Sequence, residues 1–246
     1  MGLHVDKHAA PTAGDAERAP GVQAMFDRIS GRYDLANRVL SLGMDPGWRR
    51  EAVAALGPAA SGDVLDLCAG TLDFTVMLLE QGVERVTAVD FSTGMLDRGR
   101  AKLAADAPVD VVAADARELP LPDHSVDGIL CGFGLRNVPE VERALAECKR
   151  VLRPGGRLVV LDFFQPAGTV SRFLQDSYNR WVVPLIGGMI TGSPESYRYL
   201  ADSIDAFTTR KDFERVLSTL GFQCAGREVF PPVASLIVAT LGDADA

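Results

Sequence analysis

The sequence predicts a doubly wound α/β fold with a mostly parallel sheet of seven strands, and three observations lead to this prediction. First, a short apolar run at Asp63–Leu67 is followed by a corner of small residues, Cys68–Thr71, and then by helical spacing of apolar residues over Leu72–Glu80. A strand, a tight turn and a helix start form the unit on which such folds bind nucleosides and phosphates. Second, strand and helix patterns alternate from this unit to Phe163, which favours parallel pairing. Third, acidic residues recur at the ends of the first three predicted strands.

The other elements follow from apolar spacing and from capping residues. Ser92 is predicted to cap the N-terminus of the helix that begins at Thr93. Pro154-Gly155-Gly156 is expected to end a helix before the fifth strand. The last two strands are expected to form an antiparallel pair at one sheet edge, on either side of Pro231-Pro232. The predicted strands are Asp63–Leu67, Arg85–Val89, Val109–Ala113, Val126–Gly132, Arg157–Phe163, Phe222–Phe230 and Val233–Leu241. The predicted helices are Val22–Ile29, Tyr33–Leu42, one with Pro46 in its first turn, Leu72–Glu80, Thr93–Ala105, Pro139–Leu152 and Lys211–Leu220.

The chain organisation is predicted to be a single domain over residues 21–246, preceded by a flexible tail at 1–20. Residues 21–60 are expected to form N-terminal helices that pack over the mouth of a cofactor cleft. Residues 165–208 interrupt the alternation and are expected to form a helical insertion on the substrate side.

Composition excludes several classes of protein. The net charge of −8 and the pI of about 4.9 argue against binding of nucleic acid through a basic face, and the pair Arg49-Arg50 is interpreted as a solvated helix face. The four cysteines form no CxxC or Cys/His pattern, so we expect reduced thiols in a cytoplasmic protein and no metal. No apolar run approaches the roughly 18 residues that would span a bilayer.

The corner after the first strand favours a nucleoside without phosphates. Of the pattern D-x-G-x-G-x-G only Gly70 is kept, because Cys68 and Leu72 stand where the other two glycines would be. A pyrophosphate needs a closely approaching backbone, whereas a sulfonium nucleoside does not, although Leu72 is bulky for this corner. Asp66 at the first strand end suits a cation or a sugar hydroxyl. Asp90, at close to the spacing of about 20 residues seen for ribose-binding acids, suits a diol.

Several motifs together resemble one family. They are Met25-Phe26-Asp27, Arg32-Tyr33-Asp34 with Asn37, Ser41 through Trp48, Phe133-Gly134-Leu135-Arg136-Asn137-Val138, Arg150 through Arg157, and Ser196-Tyr197-Arg198-Tyr199-Leu200-Ala201. With these motifs the chain resembles class I S-adenosylmethionine (SAM) methyltransferases, and within them the UbiE/MenG family, which methylates quinol ring carbons in menaquinone and ubiquinone biosynthesis. The resemblance implies a Rossmann-like class I methyltransferase fold, SAM as the cofactor and a lipid quinol as the acceptor. Peripheral membrane contact and homodimer formation are left open.

The resemblance and the residue chemistry together assign candidate site residues. The cofactor-binding candidates are Asp66, Gly70, Thr71, Asp90, Phe91, Asp115, Ala116 and Gly132, with Asp115 placed to meet an exocyclic amine. Arg136 is expected to stabilise a developing quinolate and to hold a water molecule, and Asp45 or Tyr33 to accept or relay a proton. The substrate-binding candidates are Asn137, Tyr178, Tyr197 and Arg198.

The chain departs from the family pattern at several positions. Gly132 stands where the family often has a serine, and Asp45 where it often has a histidine. Asp162 and Phe164 replace a Glu and a Ser, and Pro231–Thr240 lacks the usual Gly-rich segment with its histidine. Two alternatives therefore stay open: methylation of another phenolic or polyketide compound, and a non-catalytic protein with the SAM-binding fold.

Overall fold

The computed structural model describes residues 25–28, 30–165, 183–229 and 234–242. Its strands are β1 (Asp63–Leu67), β2 (Arg85–Asp90), β3 (Val109–Ala113), β4 (Val126–Gly132), β5 (Leu152–Asp162), β6 (Phe222–Glu228) and β7 (Ser235–Leu241). They form one sheet with the order β3-β2-β1-β4-β5-β7-β6. The first five strands pair in parallel, and β7 is antiparallel to both β5 and β6. The predicted fold class is confirmed, with β7 as the antiparallel strand and β6 beside it at the sheet edge.

The helices flank this sheet and precede it. They are α1 (Tyr33–Leu40), α2 (Asp45–Ala55), α3 (Asp73–Glu80), α4 (Thr93–Arg100), α5 (Val141–Val151), α6 (Val183–Thr191), α7 (Pro194–Ala206) and α8 (Arg210–Thr219). Ser92 caps α4 as predicted, since its hydroxyl oxygen accepts a hydrogen bond from the backbone N–H of Met95. Thr209 caps α8 in the same way through the N–H of Asp212.

The largest differences from the predicted boundaries lie at the end of α4 and at the start of β5. Helix α4 ends at Arg100 instead of Ala105, and turns fill the remaining residues up to β3. Strand β5 begins at Leu152 instead of Arg157 because the chain already pairs with Val126 there. The Pro154-Gly155-Gly156 segment is an irregularity within this strand, where Gly155 adopts φ +76°, and it is not a separate turn.

The sheet core consists of apolar side chains on both faces, as expected for parallel strands that helices cover. The central strands β1 and β4 are almost fully buried, as is the Leu158–Asp162 half of β5. Parallel strands bring their carboxyl ends to one sheet edge, so the loops after β1, β2, β3 and β4 meet there. The predicted tail at 1–20 and the Pro231-Pro232 link lie outside the described residues. Within the residues that the structure describes, no helix is long and apolar enough to cross a membrane.

Candidate active site

A cleft opens at the carboxyl ends of the first four strands and is closed on one side by the N-terminal segment. Eight predicted site residues line it: Gly70, Thr71, Asp90, Phe91, Asp115, Ala116, Gly132 and Asn137. The structure adds lining residues that the sequence interpretation did not assign, chiefly Phe26, Arg49, Phe74 and Phe133. The cleft is therefore more aromatic than the candidate residues suggested.

The corner after β1 turns sharply through three residues in the left-handed region. Cys68, Gly70 and Leu72 have φ values of 57°, 54° and 63°. The backbone N–H of Gly70 donates to Asp90 Oδ2 at 2.9 Å, which joins this corner to the end of β2. The Thr71 hydroxyl donates to Asp34 Oδ1 at 2.7 Å, which joins it to α1. The bond between Thr71 and Asp34 ties helix α1 to the cleft.

Leu72 is bulky for this corner but does not obstruct it. Its side chain is fully buried, packs with Ala88 and Leu96, and is not among the residues that line the cleft. Space for it comes from Gly99 in α4, where a Cβ atom would lie only 2.3 Å from Leu72 Cγ. The leucine and the distant glycine thus form a complementary pair.

Asp90 lines the cleft with both carboxylate oxygens held by backbone donors. Oδ1 accepts from the backbone N–H of Ser92 at 2.8 Å and Oδ2 from that of Gly70, and each oxygen keeps further acceptor capacity. Burial raises the pKa of Asp90 to about 6, opposed by the hydrogen bonds from Ser92 and Gly70, so the carboxylate is mostly ionised at pH 7. Phe91 lies beside it, with its ring edge-on to Phe26 at 6.5 Å between centroids.

Asp115 lines the cleft, but its carboxylate already has a partner. Arg117 donates to it through its backbone N–H at 2.8 Å, Nε at 3.0 Å and Nη2 at 2.7 Å. These bonds lower the pKa of Asp115 and keep it ionised, so it can meet a polar group of a ligand only through its remaining lone pairs. Ala116 beside it is 7% exposed and contributes a small apolar wall.

Asp66 requires a correction, because it is fully buried and does not line the cleft. Its Oδ2 accepts from the Thr75 hydroxyl at 2.6 Å. Burial raises its pKa to about 7, against the hydrogen bond from Thr75. Asp66 therefore joins β1 to α3, and the described geometry gives it no direct contact with a ligand in the cleft.

Gly132 is explained by an aromatic ring that occupies the space of a side chain. A Cβ atom at this position would lie 2.0 Å from Cε2 of Phe74. The ring of Phe74 is 3% exposed, so it fills the end of β4 where the family pattern has serine. Phe133 follows with φ 59° and stacks on Phe163 at 4.9 Å between centroids.

Arg136 is not a wall of the cleft, contrary to the prediction that its guanidinium faces the reacting ring. It is 1% exposed, and Nη1 donates to Asp162 Oδ1 and to the carbonyl oxygen of Phe133, both at 2.6 Å. A buried cation needs a buried anion, and Asp162 draws the guanidinium inward. The Phe133 carbonyl also accepts from Asn137 Nδ2 at 3.3 Å, so Arg136 holds the loop that presents Asn137.

Arg49 corrects the interpretation of Arg49-Arg50 as a solvated face. Arg49 is 9% exposed and lines the cleft, whereas Arg50 is exposed. Its guanidinium carbon lies 4.8 Å from the Phe74 ring centroid and 5.4 Å from that of Phe133. Helical spacing alone gave no signal for this, because both rings come from other segments of the chain.

The other candidates lie away from the cleft. Asp45 faces a neighbouring groove, where it accepts from the Ser41 hydroxyl at 3.0 Å. Tyr197 is 1% exposed and packs in a small core with Ala36 and Val183, and Gly187 makes room for its ring, so its assignment to the substrate is corrected to core packing. Arg198 is exposed on α7 and is not among the lining residues.

Two candidates were not placed. Tyr178 lies outside the described residues, as does the Tyr33 side chain, and any role for them stays a prediction. Tyr199, which was not a candidate, donates from its hydroxyl to Asn137 Oδ1 at 3.3 Å.

Comparison of the sequence with known proteins identifies its family. The profile of the ubiE/COQ5 methyltransferase family matches residues 12–237. The chain belongs to this family. A demethylmenaquinone methyltransferase of Clavibacter sepedonicus is 41% identical over 85% of each chain. The protein named ubiquinone/menaquinone biosynthesis C-methyltransferase of Geotalea daltonii is 37% identical over 84% of this chain and 90% of its own.

Solved structures share the fold at lower identity. A possible histamine N-methyltransferase of Thermotoga maritima has a TM-score of 0.64 at 19% identity, with 89% of this chain and 99% of that chain covered. The SAM complex of a Haemonchus contortus phosphoethanolamine N-methyltransferase has a TM-score of 0.62 at 14% identity, with 79% and 52% covered. The chain is accordingly a SAM-dependent methyltransferase with the class I fold.

The residues present fit such a cofactor. Gly70, at φ +54°, has no atom within 4 Å of the position of an added Cβ, so a ligand can approach its backbone closely. Asp90 offers acceptor capacity for a diol, and the Arg49 Nε is buried without a hydrogen-bond partner. Among the described residues, no group of three or more His, Cys, Asp or Glu side chains could hold a metal ion.

Proposed function

We propose that this chain transfers a methyl group from SAM to a ring carbon of a quinol in menaquinone or ubiquinone biosynthesis, with demethylmenaquinol as the acceptor and menaquinol as the product. The observation that carries the proposal is the likeness to proteins named demethylmenaquinone methyltransferase, at 38–44% identity over 82–93% of this chain. A cleft bounded by Asp90, Asp115 and the Phe133–Val138 segment supports the same chemistry.

The cofactor, when bound, supplies an electrophilic methyl group for in-line displacement, so the protein must hold the acceptor in line and exclude water. The cofactor-binding role is proposed for Gly70, Thr71, Asp90, Phe91, Asp115, Ala116 and Gly132. Among them, Asp90 would bind the ribose hydroxyls through its two carboxylate oxygens. Gly132 has no side chain and would contribute backbone atoms only.

On the acceptor side, we propose that the ring lies against Phe133 and the amide of Asn137. The carbonyl of Phe133 and the hydroxyl of Tyr199 orient this amide. Arg136, which is buried against Asp162, would act as a positioning residue for this loop.

A ring hydroxyl must lose its proton before the ring carbon becomes a strong nucleophile. We propose Asp45 as the final acceptor of this proton, with Tyr33 as the relay, because Asp45 faces the groove beside the cleft. The Asp45 Oδ2 lies 3.6 Å from Arg49 Nε, and Arg49 itself lines the cleft, so a path from the cleft to this carboxylate is short.

The test is the quinone profile of a strain that lacks the gene and carries no other member of the family. We expect demethylmenaquinone to accumulate, wild-type protein to restore menaquinone, and the Asn137→Leu variant to fail although it folds. Unchanged menaquinone in the deletion strain would refute the proposal. Methylation by the purified protein of a simple phenol but not of demethylmenaquinol would favour the alternative acceptor, and absence of SAM binding would favour the non-catalytic alternative.

We also propose that the protein contacts a lipid surface, where a polyprenyl quinol resides. Helices α1 and α6 pack together and expose apolar side chains: Leu35 (56%), Val39 (39%), Leu185 (63%) and Met189 (69%). In flotation with neutral phosphatidylcholine vesicles, the pair Leu185→Ser and Met189→Ser should lower the bound fraction, and the exposed control Asp97→Ser should not. Equal flotation of all three proteins would contradict this contact.

Homodimer formation stays a prediction, which light scattering on the purified protein would test.

A further inference from the structure

Arg49 is a buried cation that the described protein leaves short of hydrogen bonds. Its nearest anions are Asp45 Oδ2, 3.6 Å from Nε, and Asp73 Oδ2, 3.7 Å from Nη2. Both distances exceed those of hydrogen bonds, and Nε is buried without a hydrogen-bond partner. A guanidinium carries five N–H donors, and burying donors unpaired is costly. The described residues thus leave this guanidinium able to take a further hydrogen-bond acceptor.

The position of this guanidinium is held by aromatic packing. Phe74 and Phe133 lie 4.8 and 5.4 Å from the guanidinium carbon, at distances typical of cation–π contact. Both rings line the cleft, so the cation stands at its wall and not behind it.

The charges along the cleft make Arg49 the match for a carboxylate. Among the described residues that line the cleft, the charged ones are Arg49, Asp73, Asp90 and Asp115, so only Arg49 is positive. A ligand carboxylate would be repelled by the three acids and attracted by the arginine. A planar guanidinium binds a carboxylate through two parallel hydrogen bonds, the strongest such pairing available to a side chain.

The sheet order places this cation at the end of the cleft opposite to the base. Asp115 follows β3, Asp90 ends β2, and Phe133, which packs on Arg49, follows β4. The order β3-β2-β1-β4 separates the two ends by three strand spacings, or about 14 Å. A nucleoside joined to an amino acid, which lies with its base at Asp115 and its ribose at Asp90, brings its amino-acid group to Arg49.

We infer that Arg49 binds the α-carboxylate of the methionine part of the cofactor. This inference rests on the SAM dependence of the proposed function but not on the identity of the proposed acceptor. It also gives the Phe74–Gly132 pair a role, because the ring that fills the space beside Gly132 is one of the two that hold the guanidinium.

The test is calorimetry with two ligands, S-adenosylhomocysteine and 5′-methylthioadenosine, which lacks the amino-acid group. Arg49→Gln should weaken the binding of S-adenosylhomocysteine by roughly 10- to 100-fold, the range expected for a lost charge-assisted hydrogen-bond pair. It should leave 5′-methylthioadenosine within about twofold, and Arg49→Lys should restore part of the loss. Arg50→Gln, on the exposed side of the same helix, is the matched control and should change neither affinity.

Three outcomes separate this inference from its rivals. If Arg49→Gln weakens the binding of both ligands equally, Arg49 only supports the fold of the cleft. If the variant binds S-adenosylhomocysteine as tightly as the wild type, Arg49 does not contact the carboxylate. Either result overturns the inference. If Arg49→Gln does not fold, the wild-type protein should still bind decarboxylated S-adenosylhomocysteine at least 10-fold more weakly than the parent ligand, and equal affinities would overturn the inference. A protein that passes these tests but does not methylate a quinol would contradict the proposed function alone.

Discussion

The exchange Gly132→Ala should destabilise the protein through a single steric conflict. An added Cβ would lie 2.0 Å from Phe74 Cε2, roughly 1.5 Å inside the optimal separation of two carbon atoms. The ring is 3% exposed and packs on Arg49, so it cannot swing into solvent without loss of burial. Overpacking of this kind lowers the free energy of unfolding by about 1–3 kcal/mol. In a domain of this size each kcal/mol lost lowers Tm by about 2–4 °C.

A double-mutant cycle in urea unfolding isolates this conflict. In the Phe74→Leu background the added methyl group has more room, so Gly132→Ala should cost at least 1 kcal/mol less there than in the wild type. Gly47→Ala in α2, where no atom lies within 4 Å of the added Cβ, is the control and should be neutral or stabilise by up to about 1 kcal/mol. The same cost for Gly132→Ala in both backgrounds would refute the explanation of this glycine by the Phe74 ring.

Three further predictions concern the charge of Asp90, a buried ion pair and a second glycine. Burial raises the pKa of Asp90 to about 6, so the ionised carboxylate lowers the stability of the folded state above pH 6, and this loss of stability disappears as the pH falls towards 3.8, the ordinary pKa of the group. The affinity for S-adenosylhomocysteine should change in the opposite direction, with a drop of about tenfold per pH unit below pH 6. Calorimetry should not find this pH dependence in the Asp90→Asn variant. Asp162→Ala leaves the charge of Arg136 buried without its anion and should lower the free energy of unfolding in urea by about 3–5 kcal/mol. The control Asp97→Ala removes an exposed pair with Arg100 and should cost at most about 1 kcal/mol. Similar costs for the two variants would contradict the structural role of the Arg136–Asp162 pair. Gly99→Ala should cost about 1–3 kcal/mol because its Cβ meets Leu72 Cγ at 2.3 Å, and thermal unfolding should show less additional loss from it in a Leu72→Ala background.

Local patterns were sufficient to predict the regular elements of the sheet. Strands β1, β3 and β4 have the predicted boundaries, because each is an apolar run bounded by turn residues. The end of α4 and the start of β5 were mispredicted. In β5, pairing between Leu152 and Val126 overrides the stop signal of the proline and glycines, and such pairing involves residues that are distant in sequence.

The same distinction holds for the site. Position at a strand end predicted that Gly70, Asp90, Asp115 and Gly132 would line one cleft, since parallel strands bring these ends together. Position did not predict the partner of each side chain. Asp66 bonds to Thr75 and Arg136 to Asp162 instead of facing the cleft. Each of these side chains is buried, and its partner comes from another element of the fold.

Strand and helix periods, turn residues and short motifs are properties of neighbouring residues, so they were enough to predict the fold class, the family and the sheet edge at which the cleft lies. Which side chains face the cleft depends on contacts between distant segments, so local sequence patterns could not predict it. Arg49 illustrates the difference. A charged residue on a helix is usually solvated, but here two phenylalanines from α3 and from the loop after β4 pack on the guanidinium at the wall of the cleft.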